Sequence, residues 1–119
     1  GLDNEIVFTG NLDNVPKFLE SIDIFVLPSR YEGFGLALIE AMAAKIPVIA
    51  SNIDGPKEII KDNKYGTLFE SESVEDLAKK IIKVIESNDE IKIEKAYKYV
   101  NNNYSIKEMV NNLSNIYSL

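Results

Sequence analysis

The sequence predicts an α/β fold: a parallel sheet of about four strands flanked by helices, with further helices toward the C-terminal end. Three observations carry this. Short apolar runs bounded by turn residues have the pattern of strands covered on both faces. These runs alternate with helical or loop sequence, the βαβα order that parallel sheets require. Beyond residue 73 the apolar positions recur at helical spacing.

Glu5-Ile6-Val7-Phe8-Thr9 is the first run, β-branched and aromatic, and it stops at Gly10-Asn11. Pro16 to Ile22 then suits a short helix opened by proline. The second run, Asp23-Ile24-Phe25-Val26-Leu27, is closed by Pro28-Ser29; Pro47-Val48-Ile49-Ala50 is the third and Tyr65-Gly66-Thr67-Leu68-Phe69 a weaker fourth. Pro56 to Lys61 reads as a short helix ended by the turn Asp62-Asn63-Lys64.

Ser73 opens a clearer helix, with Val74, Leu77, Ala78, Ile81, Ile82 and Ile85 on a stripe expected to pack on the sheet. The opposite face, with Glu75, Lys79, Lys80 and Lys83, is expected in water. Glu90 to Val100 is also helical in pattern, broken by Asn101-Asn102-Asn103. Ser105 and Glu108 form a capping box for a last helix from about Ile106 to Tyr117, with Tyr104 and Met109 placed as a hydrophobic staple. No repeat or linker divides residues 1–119, so a single domain is expected.

Composition narrows the chemistry. With 45% apolar and 27% charged residues the chain has the make-up of a globular domain. No apolar run approaches the roughly 20 residues that cross a bilayer. Cysteine is absent, which suits a cytoplasmic setting. Histidine is absent too, removing the commonest general base and nitrogen ligand. A net charge of −6 argues against nucleic acid as a partner, so any anion must be held at a local site.

The segment Leu36-Ala37-Leu38-Ile39-Glu40-Ala41-Met42-Ala43-Ala44 is apolar on every face except at Glu40, and a glutamate in a buried helix needs a hydrogen-bonding partner. Either it pairs internally, with Arg30 or Lys45, or it sits at a helix edge in water, or it faces a ligand. The preceding Arg30-Tyr31-Glu32-Gly33-Phe34-Gly35 directly follows a buried strand, and its glycines let the backbone turn sharply and approach a ligand. Ligands of open α/β sheets collect beyond the carboxyl ends of the strands, where a helix N-terminus offers free amides, here those near Gly35 and Leu36, to an anion such as a pyrophosphate. Ribose and hexose hydroxyls are the donors that carboxylates such as Glu32 and Glu40 accept. Their E-x7-E spacing alone carries little, since Glu86 and Glu94 share it.

Pro28 to Gly35, then Leu38-Ile39-Glu40-Ala41-Met42-Ala43, then Pro47-Val48-Ile49-Ala50-Ser51 together resemble the C-terminal domain of the group 1 (family 4) glycosyltransferases, from about Val7 to Leu119. The resemblance implies a partial Rossmann-like domain of the GT-B arrangement that binds a nucleotide-sugar donor. It implies transfer to a glycan, lipid or small molecule with retention of configuration and without a metal or other cofactor. It makes Glu32 the residue that meets the donor sugar and acts in catalysis. Glu40 would accept the ribose hydroxyls, the backbone of Gly33, Phe34, Gly35 and Leu36 would meet sugar and pyrophosphate, and Gly10, Asn11 and Leu12 would lie near the base. Gly55, Pro56 and Glu58 occupy a loop near that site, in a structural or a contacting role.

Lys45 stands where the family usually has glycine, so the helix must end either without a left-handed residue or with a strained one. In family members an acceptor-binding domain, two strands placed centrally between those near Val7 and Phe25, and an Arg and a Lys that neutralise the pyrophosphate all precede this segment. The isolated chain is therefore expected to bind a donor weakly and not to turn over, and the full enzyme could work at the cytoplasmic face of a membrane. Rival readings are a non-catalytic nucleotide-sugar-binding module, a sugar-nucleotide epimerase and a purely structural domain. Tyr97, Tyr99, Tyr104 and Tyr117 read as core packing or as the interface to the missing domain, and Lys79, Lys80 and Lys83 as a solvated face.

Overall fold

The computed structural model describes residues 5–7, 15–30 and 35–104. Three strands, β1 (Phe25–Leu27), β2 (Val48–Ser51) and β3 (Thr67–Phe69), form a parallel sheet in the order β1-β2-β3. Five helices accompany them: α1 (Val15–Glu20), α2 (Leu36–Ala43), α3 (Pro56–Ile60), α4 (Val74–Ser87) and α5 (Glu90–Asn103). The three later apolar runs are thus the three strands. α2 and α3 are the crossovers that parallel neighbours need.

Register sorts the strand side chains. Phe25 pairs with Val48, Leu27 with Ala50 and Ala50 with Leu68, so these residues share one face, and that face forms the main core with Leu38, Ile39, Met42, Ile60 and Val100. Ile49 and Phe69, at 0% and 3% exposure, point to the other face, where α4 lies against β3. Both faces are covered at β2 and β3, which explains why those runs are apolar without alternation.

The first expected strand is not formed over Glu5–Val7. These residues lie outside any ladder, with Ile6 51% and Val7 80% exposed, because no described strand offers its backbone to them. Phe8 to Thr9, the Ser105–Glu108 capping box, Tyr117 and the final helix lie outside the described residues. α1 ends at Glu20, before the expected Ile22, as Ser21 turns back onto the Phe18 carbonyl through both its amide and its hydroxyl.

α2 is capped by Ala44, with Lys45 next in the left-handed region at φ 61°. The Ile46 amide bonds Ala41 O and the Lys45 amide bonds Met42 O, the paired closure of a Schellman turn. Lys45 therefore takes the strained conformation that glycine would adopt freely. The turn after α3 is also left-handed, at Lys61, Asp62 and Asn63, and Asn63 Oδ1 accepts the Leu68 amide at 2.7 Å, tying the turn to β3.

Ser73 caps α4 by accepting the Asp76 amide at 3.1 Å, as its position predicts. The apolar stripe of α4, however, is only partly covered. Leu77, Ile81 and Val84 are half-buried, whereas Val74, Ile82 and Ile85 are 82%, 55% and 63% exposed. The stripe is wider than the edge strand on which the helix lies. α5 runs through Asn101-Asn102-Asn103, past the expected break: buried Val100 pins the last turn against the core, and Asn103 Nδ2 donates to the Tyr99 carbonyl at 2.8 Å.

Candidate functional site

The loops that leave β1, β2 and β3 open onto the carboxyl edge of the sheet, where a ligand of an α/β fold is expected. Gly35 closes the first of them as the N-cap of α2, buried and left-handed at φ 77° and ψ 37°. A Cβ there would stand 2.9 Å from Ile59 Cδ1, the tip of a side chain that can give way, so it is the left-handed conformation that calls for glycine. Among the described residues no side chain caps α2, and its first turn carries no acid, an end whose amides suit an anion.

The helix behind that end is not buried on every side. Leu38, Ile39, Ala41 and Met42 are fully buried, but Leu36 and Glu40 are half-buried and Ala37 exposed, an open stripe along one face. Glu40 stands on that stripe. Burial raises its carboxyl above the ordinary value of 4.5 by desolvation.

Neither expected internal partner meets it. Arg30 Nε lies 2.8 Å from Glu72 Oε1, and Lys45 Nζ lies 3.5 Å from Glu94 Oε2 and 4.5 Å from the centre of the Tyr97 ring. Among the described residues no side chain pairs with Glu40.

The structure brings together Gly35, Leu36 and Glu40. Gly10, Asn11, Leu12, Glu32, Gly33 and Phe34 lie outside the described residues. Gly55 caps α3 at φ 96°, Pro56 is buried at its first position, and Glu58 is exposed. Of the tyrosines, Tyr99 stacks on Tyr65 at 4.2 Å and meets Tyr104 edge-on, a packing role.

Sequence reasoning missed the pairing of Arg30 with Glu72. That Arg30 is the only arginine in the chain was a usable signal; nothing in the sequence marks Glu72. The hollows include one of about 930 Å³ at the carboxyl ends of β2 and β3, lined by Asn52, Lys57, Lys61, Phe69 and Glu70, and one of about 700 Å³ at the amino ends of the strands, between Ile24, Tyr65, Ile85 and Ile93. No helix among the described residues is long and apolar enough to cross a membrane.

The family model for glycosyl transferases group 1 matches residues 1–106. Poly(ribitol-phosphate) alpha-N-acetylglucosaminyltransferase of Staphylococcus aureus (strain COL) is 35% identical over 121 residues, covering 98% of this chain and 24% of the relative. Sucrose-phosphate synthase from Thermosynechococcus elongatus superposes with a TM-score of 0.83 at 25% identity, over 98% of this chain and 30% of that one. S. aureus TarM, in a complex that includes UDP, superposes with a TM-score of 0.77 at 34% identity, over 96% of this chain and 24% of that one. The chain thus spans about a quarter to a third of these proteins. The α/β sheet, the glycine-capped helix carrying Glu40 and the match over nearly the whole chain agree: it belongs to the group 1 glycosyltransferases and has the fold of part of their C-terminal GT-B domain.

Proposed function

We propose that this chain holds the nucleotide-sugar donor of a retaining hexosyltransferase. The observation that carries the reading is Glu40: a half-buried, desolvated carboxylate on an open helix stripe, paired with neither Arg30 nor Lys45. A carboxylate so placed gains from donors brought by a ligand. The two ribose hydroxyls are such donors, and the uncapped amino end of α2 suits the diphosphate that follows them. UDP in the TarM complex supports a nucleotide of this kind.

In this reading Glu40 orients the nucleotide, the amides at Gly35 and Leu36 meet the diphosphate, and Glu32, by family resemblance, faces the sugar. Oriented hydroxyl contacts and fixed amides provide positioning and electrostatic stabilisation as the leaving diphosphate gains charge. Carboxylates and backbone donors do this work without a metal. The acceptor is held by a domain outside this chain, so the 119 residues bind donor weakly and transfer nothing unaided. The parent enzyme works in the cytoplasm, with the cytoplasmic membrane face as one setting.

Calorimetric titration of UDP-, GDP- and ADP-sugars into the chain and its Glu40→Ala variant tests the reading. One donor class should bind, and the variant should bind it at least tenfold more weakly, the order expected for losing a charge-assisted hydrogen bond. Equal binding to both proteins would remove Glu40 from the site.

A further inference from the structure

Arg30 is the one arginine among 13 Lys and Arg residues, and it lies on the loop between β1 and the glycine that caps α2. Its Nε donates to Oε1 of Glu72 at 2.8 Å. Glu72 belongs to the loop leaving β3, at the far edge of the sheet, so the ion pair ties together the loops that leave the two outer strands.

Glu72 is held there under strain. Its φ of 67° is a conformation that L side chains resist. The backbone around it is fixed from both sides: Asp76 accepts the Glu70 amide at 2.6 Å, and the Ser73 amide bonds the Glu70 carbonyl at 3.0 Å. A strained residue kept in place by its surroundings points to a use for its side chain. That side chain holds a guanidinium which, like its partner, is largely in water, 75% and 60% exposed. Such a pair contributes little to folding and exchanges partners easily. A guanidinium also offers a planar pair of donors that fits two phosphate oxygens better than one carboxylate oxygen.

We propose that Arg30 is a diphosphate contact of the nucleotide site, kept at the carboxyl edge by Glu72 until the ligand takes it. This rests on the donor reading above and adds to it a cation from the chain's own sequence. Glu72 is then a competitor, and removing its charge strengthens diphosphate binding.

A single arginine gives a single Nε–H resonance, so ¹⁵N NMR reads Arg30 directly. UDP, GDP and ADP are titrated in parallel with their nucleosides. The diphosphate that binds should move the Arg30 Nε–H signal, and its nucleoside should not. Arg30→Gln should weaken that diphosphate about tenfold, the order of a charge-assisted contact. Glu72→Gln should tighten it about threefold, the scale of an exposed ion pair. Lys98→Gln, an exposed charge on α5, should change nothing.

If a diphosphate moves the α2 amide signals and is weakened by Glu40→Ala, yet leaves the Arg30 signal still and binds Arg30→Gln unchanged, the Arg30 contact is wrong while the donor site stands. If Glu72→Gln weakens binding, the competitor role is wrong. If no nucleotide moves the α2 signals, the donor reading fails and this proposal with it.

Discussion

Lys45 sends its ammonium to Glu94 and the Tyr97 ring, and so leaves Glu40, on the last turns of the same helix, without the cation that chain proximity offered it. The carboxylate stays desolvated and unpaired among the described residues. An arrangement that costs the free protein stability is the kind retained where a ligand completes it.

Replacing Glu40 by glutamine tests that cost. Its folded-state pKa is raised, so the native state holds the proton more tightly than the unfolded chain does. The penalty is absent below the ordinary value of 4.5 and grows as pH rises through the folded value. Glu40→Gln should therefore be more stable than the wild type near neutral pH, and the difference should vanish at pH values below 4.5. Urea unfolding at both pH values measures it.

Lys45 should carry strain that alanine keeps and glycine relieves. Lys45→Ala and Lys45→Gly both lose the Glu94 and Tyr97 contacts, but only glycine adopts φ 61° freely. The glycine variant should be more stable than the alanine variant by about 1 kcal/mol, read as a difference in unfolding free energy. Equal stabilities would mean that the turn relaxes.

Gly66 allows β2 and the α3 turn to close on each other. A Cβ there would lie 2.6 Å from Val48 Cγ2 and 3.2 Å from the Val48 carbonyl oxygen, and the carbonyl belongs to the sheet and yields little. Gly66→Ala should cost about 1–3 kcal/mol, the range for overpacking a core, visible as a lower unfolding midpoint.

Much of this was legible in the sequence because it is local. The runs at Phe25, Val48 and Thr67 are strands, Ser73 is a cap, and the lack of glycine at 45 left two ways for the helix to end, of which Lys45 takes the strained one. What was not legible depends on distant neighbours. Val74, Ile82 and Ile85 fit the core-facing pattern as well as Leu77 does, yet exposure depends on what lies beside β3. Asn101 to Asn103 have breaking propensity, which the anchoring of Val100 overrides. The pairing of Arg30 with Glu72 links two loops that share no local pattern. Of the candidate site residues, Leu36 and Glu40 lie on α2 and Gly35 is its N-cap, a neighbourhood that follows from their spacing along the chain.

The central claim is that Glu40 receives the hydroxyls of a nucleotide's ribose, and a comparison of UDP with its 2′,3′-dideoxy counterpart tests it most directly. Wild-type chain should bind the dideoxy nucleotide about tenfold more weakly, because the half-buried carboxylate is then left without donors. Glu40→Ala should bind both nucleotides alike, at the weaker level. A wild type that does not distinguish the two, or a Glu40→Ala variant that distinguishes them as the wild type does, would contradict the account.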